Sequence, residues 1–193
     1  MFVDNIRIFA RAGKGGNGLV SFRRAKFVPK GGPDGGDGGD GGSVILEVDP
    51  HTNDLRSFFY DPKLIATDGV GGQSAKKHGK NGKSVIGKVP PGTIIYRSNA
   101  SSMAEATWLE REGEGIELEK IADLTEIGTR FTLCQGGLGG KGNWHFRSAT
   151  NQAPTEAEMG TEGEEGVFFM ELRRIADAGL VGYPNAGKST LLG

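Results

Sequence analysis

Glycine recurs in this chain at intervals of three. One series is Gly32, Gly35, Gly38 and Gly41; a second is Gly136, Gly139 and Gly142; a third is Gly160, Gly163 and Gly166. Further clusters lie at 13–18 and 69–82. A period of three belongs to the polyproline II helix, which has three residues per turn and no internal hydrogen bonds. Glycine on one side of such a helix lets a neighbour approach to backbone contact. Collagen uses the same geometry, but it needs long unbroken runs and abundant proline. Here the runs are short and the chain has only 8 Pro among 193 residues, which excludes a collagen fibre. Two other readings stay open at this point. The clusters also suit flexible linkers. The Asp34, Asp37, Asp40 series suits Ca²⁺, although no terminal bidentate Glu follows at the usual spacing.

Apolar segments alternate with these clusters. Strands are expected over 43–48, 84–89, 93–96, 130–134 and 167–172, with a Pro90-Pro91-Gly92 turn between the second and third. One helix is expected from Ser102, where Ser102 and Glu105 have the spacing of a capping box. The expected fold is mainly β and carries a layer of glycine helices. A hydrophobic content of 36% allows only a modest core.

The net charge is −1, but the charges are segregated. Arg7, Arg11, Lys14, Arg23, Arg24, Lys26 and Lys30 face only Asp4 within residues 1–30. Lys63, Lys76, Lys77, Lys80, Lys83 and Lys88 face only Asp68 within 62–88. Acid collects at 105–119 and 156–165. Basic loops on a near-neutral protein are able to hold a polyanion locally, though each run also suits an ordinary solvated face. Cys134 is the only cysteine, which excludes an internal disulfide and a thiolate zinc cluster. His51, His78 and His145 show no metal-ligand spacing. There is no membrane-length apolar run and no signal-peptide stretch at the start, so a cytoplasmic protein is expected.

The last residues change the character of the chain. Gly182 to Ser189 matches the phosphate-loop pattern G-x-x-x-x-G-K-[ST]. The apolar Ala178, Leu180 and Val181 precede it as a short strand, and 187–192 suits a helix start. In that context the backbone N–H groups of residues 185–190 converge on phosphates. Lys188 supplies a point charge, and the Ser189 hydroxyl is able to ligate Mg²⁺. The expected nucleotide site is Gly182, Tyr183, Pro184, Asn185, Ala186, Gly187, Lys188, Ser189 and Thr190.

Taken together, the chain resembles the Obg family of bacterial GTPases over essentially its whole length. The residues that carry the resemblance are Met1-Phe2-Val3-Asp4, Gly15-Gly16-Asn17-Gly18, Phe22-Arg23-Arg24, Val28-Pro29-Lys30-Gly31-Gly32-Pro33 and Gly35-Gly36-Asp37-Gly38-Gly39. Val89-Pro90-Pro91-Gly92-Thr93, Ala122-Asp123-Leu124, residues 136–143 and the phosphate loop complete them. The resemblance implies an Obg fold over 1–174, a β-barrel base with protruding glycine-rich helices, and the truncated start of an α/β GTPase domain over 175–193. It implies GTP and GDP as ligands, Mg²⁺ as cofactor, and a monomer that acts in assembly of the large ribosomal subunit through its rRNA. Loop tips at 22–33, 73–83 and 137–149 match the family's RNA contacts. The residues expected there are Arg23, Arg24, Lys26, Lys30, Lys76, Lys77, Lys80, Lys83, Lys141 and Arg147. Residues 98–119 stand out as an acidic insertion. The switch threonine, the Mg²⁺-linked D-x-x-G and the guanine-reading N-K-x-D that the family would supply after Gly193 are not here. Guanine specificity therefore comes only from the resemblance, and no catalytic residue is assigned. Without switch ligands for Mg²⁺ or a group to orient water, the fragment is expected to be inactive. An ATPase, or an RNA-binding module with a vestigial phosphate loop, are the rival readings.

Overall fold

The structure is a computed structural model that describes residues 3–24, 31–100, 102–112 and 117–173. The base is built from two sheets. One has the order β3-β1-β8-β5-β6, formed by β1 (Asn5–Arg11), β3 (Lys63–Ile65), β5 (Thr93–Ser98), β6 (Leu118–Leu124) and β8 (Glu165–Leu172). The other has the order β4-β2-β7, formed by β2 (Val44–Val48), β4 (Val85–Val89) and β7 (Arg130–Cys134). Alternation builds the core between them. Ile6, Ile8 and Ala10 of β1 point inward, as do Val44, Leu46 and Val48 of β2. Phe168 and Met170 of β8 join the same cluster. Each such Ile, Leu or Phe contributes about 1.5–3 kcal/mol by leaving water.

The five strands expected before residue 173 are present, and the short strand expected at 178–181 lies outside the described residues. β1, β3 and β6 were not expected, nor were the short helix α1 (Arg56–Tyr60) and the 3-10 turn Asn143–Phe146. Residues 90–92 do turn, with Gly92 at φ 85 and the Thr93 hydroxyl donating to the Pro90 carbonyl at 2.7 Å. The turn does not make a hairpin: it carries the chain from the three-stranded sheet to the five-stranded one. The expected helix is α2 (Met103–Glu112), and the Ser102 hydroxyl accepts the Glu105 N–H at 3.2 Å. Ala106 of α2 packs with Ala100 and Val167, with Phe9 and Met103 alongside. The insertion therefore covers the outer face of β1 and β8 and takes no part in the glycine layer.

Six extended segments leave the strands and form that layer: 12–19 after β1, 34–43 before β2, 66–73 after β3, 77–84 before β4, 135–143 after β7 and 157–164 before β8. Their backbone groups have no partners within the segment, so they must find them sideways. They do so at every third residue. Gly13, Gly16 and Leu19 donate to the carbonyls of Gly42, Gly39 and Gly36, and the N–H groups of those three donate to Thr67, Val70 and Gln73. This pattern rules out the linker reading.

The repeat Gly-Gly-Asp follows from three residues per turn. Gly35, Gly38 and Gly41 face the carbonyls of Leu19, Gly16 and Gly13, while Gly36, Gly39 and Gly42 face those of Lys77, Lys80 and Lys83. Two faces of this central segment are thus glycine, where one was expected. The third position points a carboxylate at a neighbour's N–H: Asp37 accepts from Gly142 at 2.7 Å and Asp40 from Gly139 at 2.8 Å. These oxygens serve the backbone, and no group of three metal-ligating side chains able to hold an ion occurs among the described residues. The ends of two expected series fall outside the layer. Gly32 has no atom within 4 Å of its Cβ direction, and Gly166 meets only the Phe168 ring at 3.5 Å within β8.

Candidate nucleic-acid interface at the tip of the glycine layer

Because each segment is tethered to a strand at one end, the three connections at the other end gather together. Their described residues are 20–24 and 31–33, 74–76, and 144–156. Asn143 organises them. It is fully buried. Its Oδ1 accepts the Gly35 N–H at 2.9 Å, and its Nδ2 donates to the carbonyls of Ser21 and Pro154, both at 3.0 Å. Its own N–H donates to Leu19. One side chain thus joins the start of the first connection, the foot of the central segment and the end of the third connection.

The second connection is held in an uncommon shape. Ala75 and Lys76 have φ of 60° and 56°, a left-handed conformation that costs L-residues about 1–2 kcal/mol each. Asp34 offsets it: its carbonyl accepts the Lys76 N–H at 2.6 Å, and its carboxylate accepts the Ala75 N–H at 3.3 Å. The result places the Lys76 ammonium 4.9 Å from the centre of the Trp144 ring. His145 lies against the same indole, with ring centres 3.8 Å apart. A cleft of about 670 Å³ opens beside this turn, lined by Phe22, Arg23, Arg24, Asp34, Ser74 and Ala75 among others.

Asp37 braces the other side. Its Oδ2 meets His145 Nε2 at 2.8 Å and His78 Nδ1 at 3.4 Å. Burial works against the charged carboxylate, but the Gly142 N–H and then the two histidines outweigh it, and the carboxyl sits below its ordinary range. A depressed carboxyl stabilises the fold above its unfolded pKa, and that stability is lost as pH falls through the lower folded value. Asp37→Asn is therefore expected to shallow the fall of Tm with acid below about pH 4. Parallel acid limbs for the parent and the variant in a Tm-against-pH series would contradict this.

The structure sorts the expected RNA-binding residues. Arg23 and Arg24 are exposed at the cleft, and Lys76, Lys77 and Arg147 are exposed at or beside the tip. Lys80 and Lys83 are exposed but not at the tip. They follow Lys77 at three-residue intervals down the 77–84 segment, so Lys83 lies about 19 Å from Lys77, at the base end. Lys141 is exposed, and its N–H faces the Glu158 carboxylate at 3.3 Å. Segment 77–84 bonds to 66–73 and 34–43, whereas 157–164 bonds to 12–19 and 135–143. The lysine-bearing and acid-bearing segments are thus opposite edges of the layer. Lys26 and Lys30 lie outside the described residues, as does the whole phosphate loop, Gly182 to Thr190, with the expected Mg²⁺ ligand Ser189. Sequence reasoning assigned no role to Asn143, read Asp34 and Asp37 only as calcium ligands, and saw no link between His78 and His145. The one signal was the Asp at every third position, which reads equally as calcium chemistry.

Cys134 takes no part in any site. It is buried, and its thiol is pushed up to about 12, by burial first and by the nearby Glu164 charge. Among the described residues, no helix is long and apolar enough to cross a membrane.

Comparison with known proteins agrees with this architecture. Residues 3–174 match the family model described as GTP1/OBG. The chain is 50% identical over 194 residues to GTPase Obg of Methylacidiphilum infernorum, covering 100% of this chain and 53% of that protein. It is 50% identical over 192 residues to GTPase Obg of Nautilia profundicola, covering 100% and 49%. It is 51% identical over 191 residues to GTPase Obg of Chlorobium chlorochromatii, covering 99% and 52%. The chain thus spans about half the length of these curated relatives. With the glycine segments, the strand frame and the sequence match in agreement, the chain belongs to the GTP1/OBG family.

Proposed function

We propose that the protein containing this chain is a cytoplasmic, monomeric GTPase that acts on the large ribosomal subunit, with residues 1–174 as its RNA-docking unit. Residues 175–193 then open its nucleotide domain. The observation that carries the docking assignment is the gathering of Arg23, Arg24, Lys76, Lys77 and Arg147 at one end of the layer, while the acidic segment 157–164 forms an edge of its own. Arginine is the better bidentate phosphate partner, so Arg23 and Arg24 contribute most per residue.

Each phosphate contact releases counterion, so affinity for large ribosomal subunits should fall steeply with salt. Reversing Arg23, Lys76 and Lys77 to Glu should lower the log–log salt slope by about 2–3. Lys83→Glu at the base end should change it much less. Lys120→Glu is the neutral control, because Lys120 already pairs with Asp123 at 2.8 Å on β6. Identical slopes for the triple reversal and the control would remove the docking assignment.

The GTP and Mg²⁺ reading rests on Gly182–Thr190 and on the names of the relatives. Lys188 would hold the β and γ phosphates, the backbone N–H groups of 185–190 would cradle them, and Ser189 would take the metal. Bound Mg²⁺ neutralises phosphate charge. The 193-residue chain alone is expected to release no phosphate from GTP above background, because phosphoryl transfer also needs a group that orients the attacking water, a role that a phosphate-cradling loop such as Gly182–Thr190 does not itself supply. Release that disappears in Lys188→Ala would refute this. With the downstream sequence restored, Lys188→Ala should weaken triphosphate binding.

A further inference from the structure

We infer that the Lys76–Trp144 pair is a receptor for one unpaired nucleotide, with the base stacking on the indole and Lys76 moving off to hold the adjoining phosphate. This rests on the RNA-docking reading above and narrows it from a charged surface to a single-stranded target. Trp144 is half-buried and belongs to neither apolar cluster of the described residues. What lies over its ring is an ammonium, 4.9 Å from the centre, at the end of an exposed, flexible lysine. A cation on an aromatic face marks a surface that a base is able to claim, and base–aromatic stacking exceeds an exposed cation–π contact.

The pair is built rather than incidental. His145 lies against the ring, and Asp37 holds it at 2.8 Å. The lysine is aimed by two consecutive left-handed residues that Asp34 holds in place. Strained backbone of this kind persists only where the surroundings over-determine it, and it clusters at ligand clamps. The indole N–H is also buried without a hydrogen-bond partner among the described residues. Ser74 and Ala75, just before Lys76, line the cleft that holds Arg23 and Arg24, so flanking phosphates have cations close by. A duplex hides its base faces within its own stack, so only an unpaired nucleotide fits this chemistry.

The test uses Trp108→Phe protein, in which Trp144 is the remaining tryptophan. It is titrated at low salt with oligouridylate and with the same oligomer annealed to oligoadenylate. The expected result is saturable quenching by the single strand, and salt-sensitive binding without quenching by the duplex. Trp144→Leu should weaken oligouridylate roughly ten-fold and leave the duplex unaffected. Trp144→Phe, which keeps an aromatic face, should retain most of the affinity and covers the case where the Leu variant folds poorly. Lys76→Ala should lower the salt slope by about one. Single-strand binding with neither quenching nor any effect at Trp144 overturns the stacking site and leaves the docking surface standing. Failure of every RNA to bind at low salt overturns both.

Discussion

Gly38→Ala should unfold or severely destabilise the domain, by more than about 4 kcal/mol. The single methyl carbon it adds would sit 1.8 Å from the carbonyl oxygen of Gly16. A flexible side chain would yield, but this is backbone, and the Gly16 oxygen is already fixed by the Gly140 N–H at 2.9 Å. Gly38 itself donates to Gly140 at 2.8 Å. Three segments would have to separate to admit one carbon, and each holds its neighbours through bonds repeated every third residue. For a domain of this size the expected fall in Tm is about 10 °C or more. Gly139→Val should behave alike, since its Cβ would lie 2.1 Å from the Gly38 oxygen. The control is Gly32→Ala, from the same sequence series. It has open space and no left-handed φ, so it should be neutral or stabilise by about 0.4–1 kcal/mol. Thermal melts of the three variants decide the matter: equal Tm values would mean that the layer is a loose tether.

Asn143→Ala should cost about 2–4 kcal/mol and loosen all that lies beyond it. The substitution leaves the Gly35 N–H and the Ser21 and Pro154 carbonyls without their partner in a buried site, and unsatisfied buried groups cost more than a hydrogen bond is worth. Asn143→Asp is the sharper comparison. It keeps the acceptor for Gly35 but turns a donating nitrogen into an oxygen facing two carbonyls, and it adds a buried charge. It should therefore be at least as destabilising as the Ala variant despite being nearly isosteric. Amide exchange at Gly35 should accelerate in both, and binding to large ribosomal subunits should weaken although no positive charge has been removed. An Asp variant as stable as the parent would show that Asn143 does not hold the tip through its two donated bonds.

The predictions differ in how far they were legible beforehand. The period of three made extended glycine helices the natural reading, and the apolar runs marked five strands that are present. β1 was not expected although Ile6, Ile8 and Ala10 alternate cleanly, because Arg7 and Arg11 make the segment read as part of a basic run. β6 was not expected because three of its exposed residues are the charged Glu119, Lys120 and Asp123, a composition that reads as loop.

The lysine assignments show the same limit. Lys76, Lys77, Lys80 and Lys83 form one basic run in the text. Only the strand that follows, β4, shows that Lys83 stands at the base and Lys76 at the tip. Likewise Asp34, Asp37 and Asp40 are equivalent in sequence. In space one holds a left-handed turn, one braces two histidines from remote segments, and one serves a backbone amide.

What the sequence determined by itself was local: period, strand propensity, cap and phosphate-loop pattern, each set by residues within a few positions of one another. What the tertiary structure decided was partnership. A polyproline II segment satisfies none of its hydrogen bonds internally, so its conformation carries no information about its neighbours. Which glycine faces which carbonyl, and therefore which side chains meet at the tip, is settled only when six segments separated by up to most of the chain are locked into one lattice by the two sheets that anchor them.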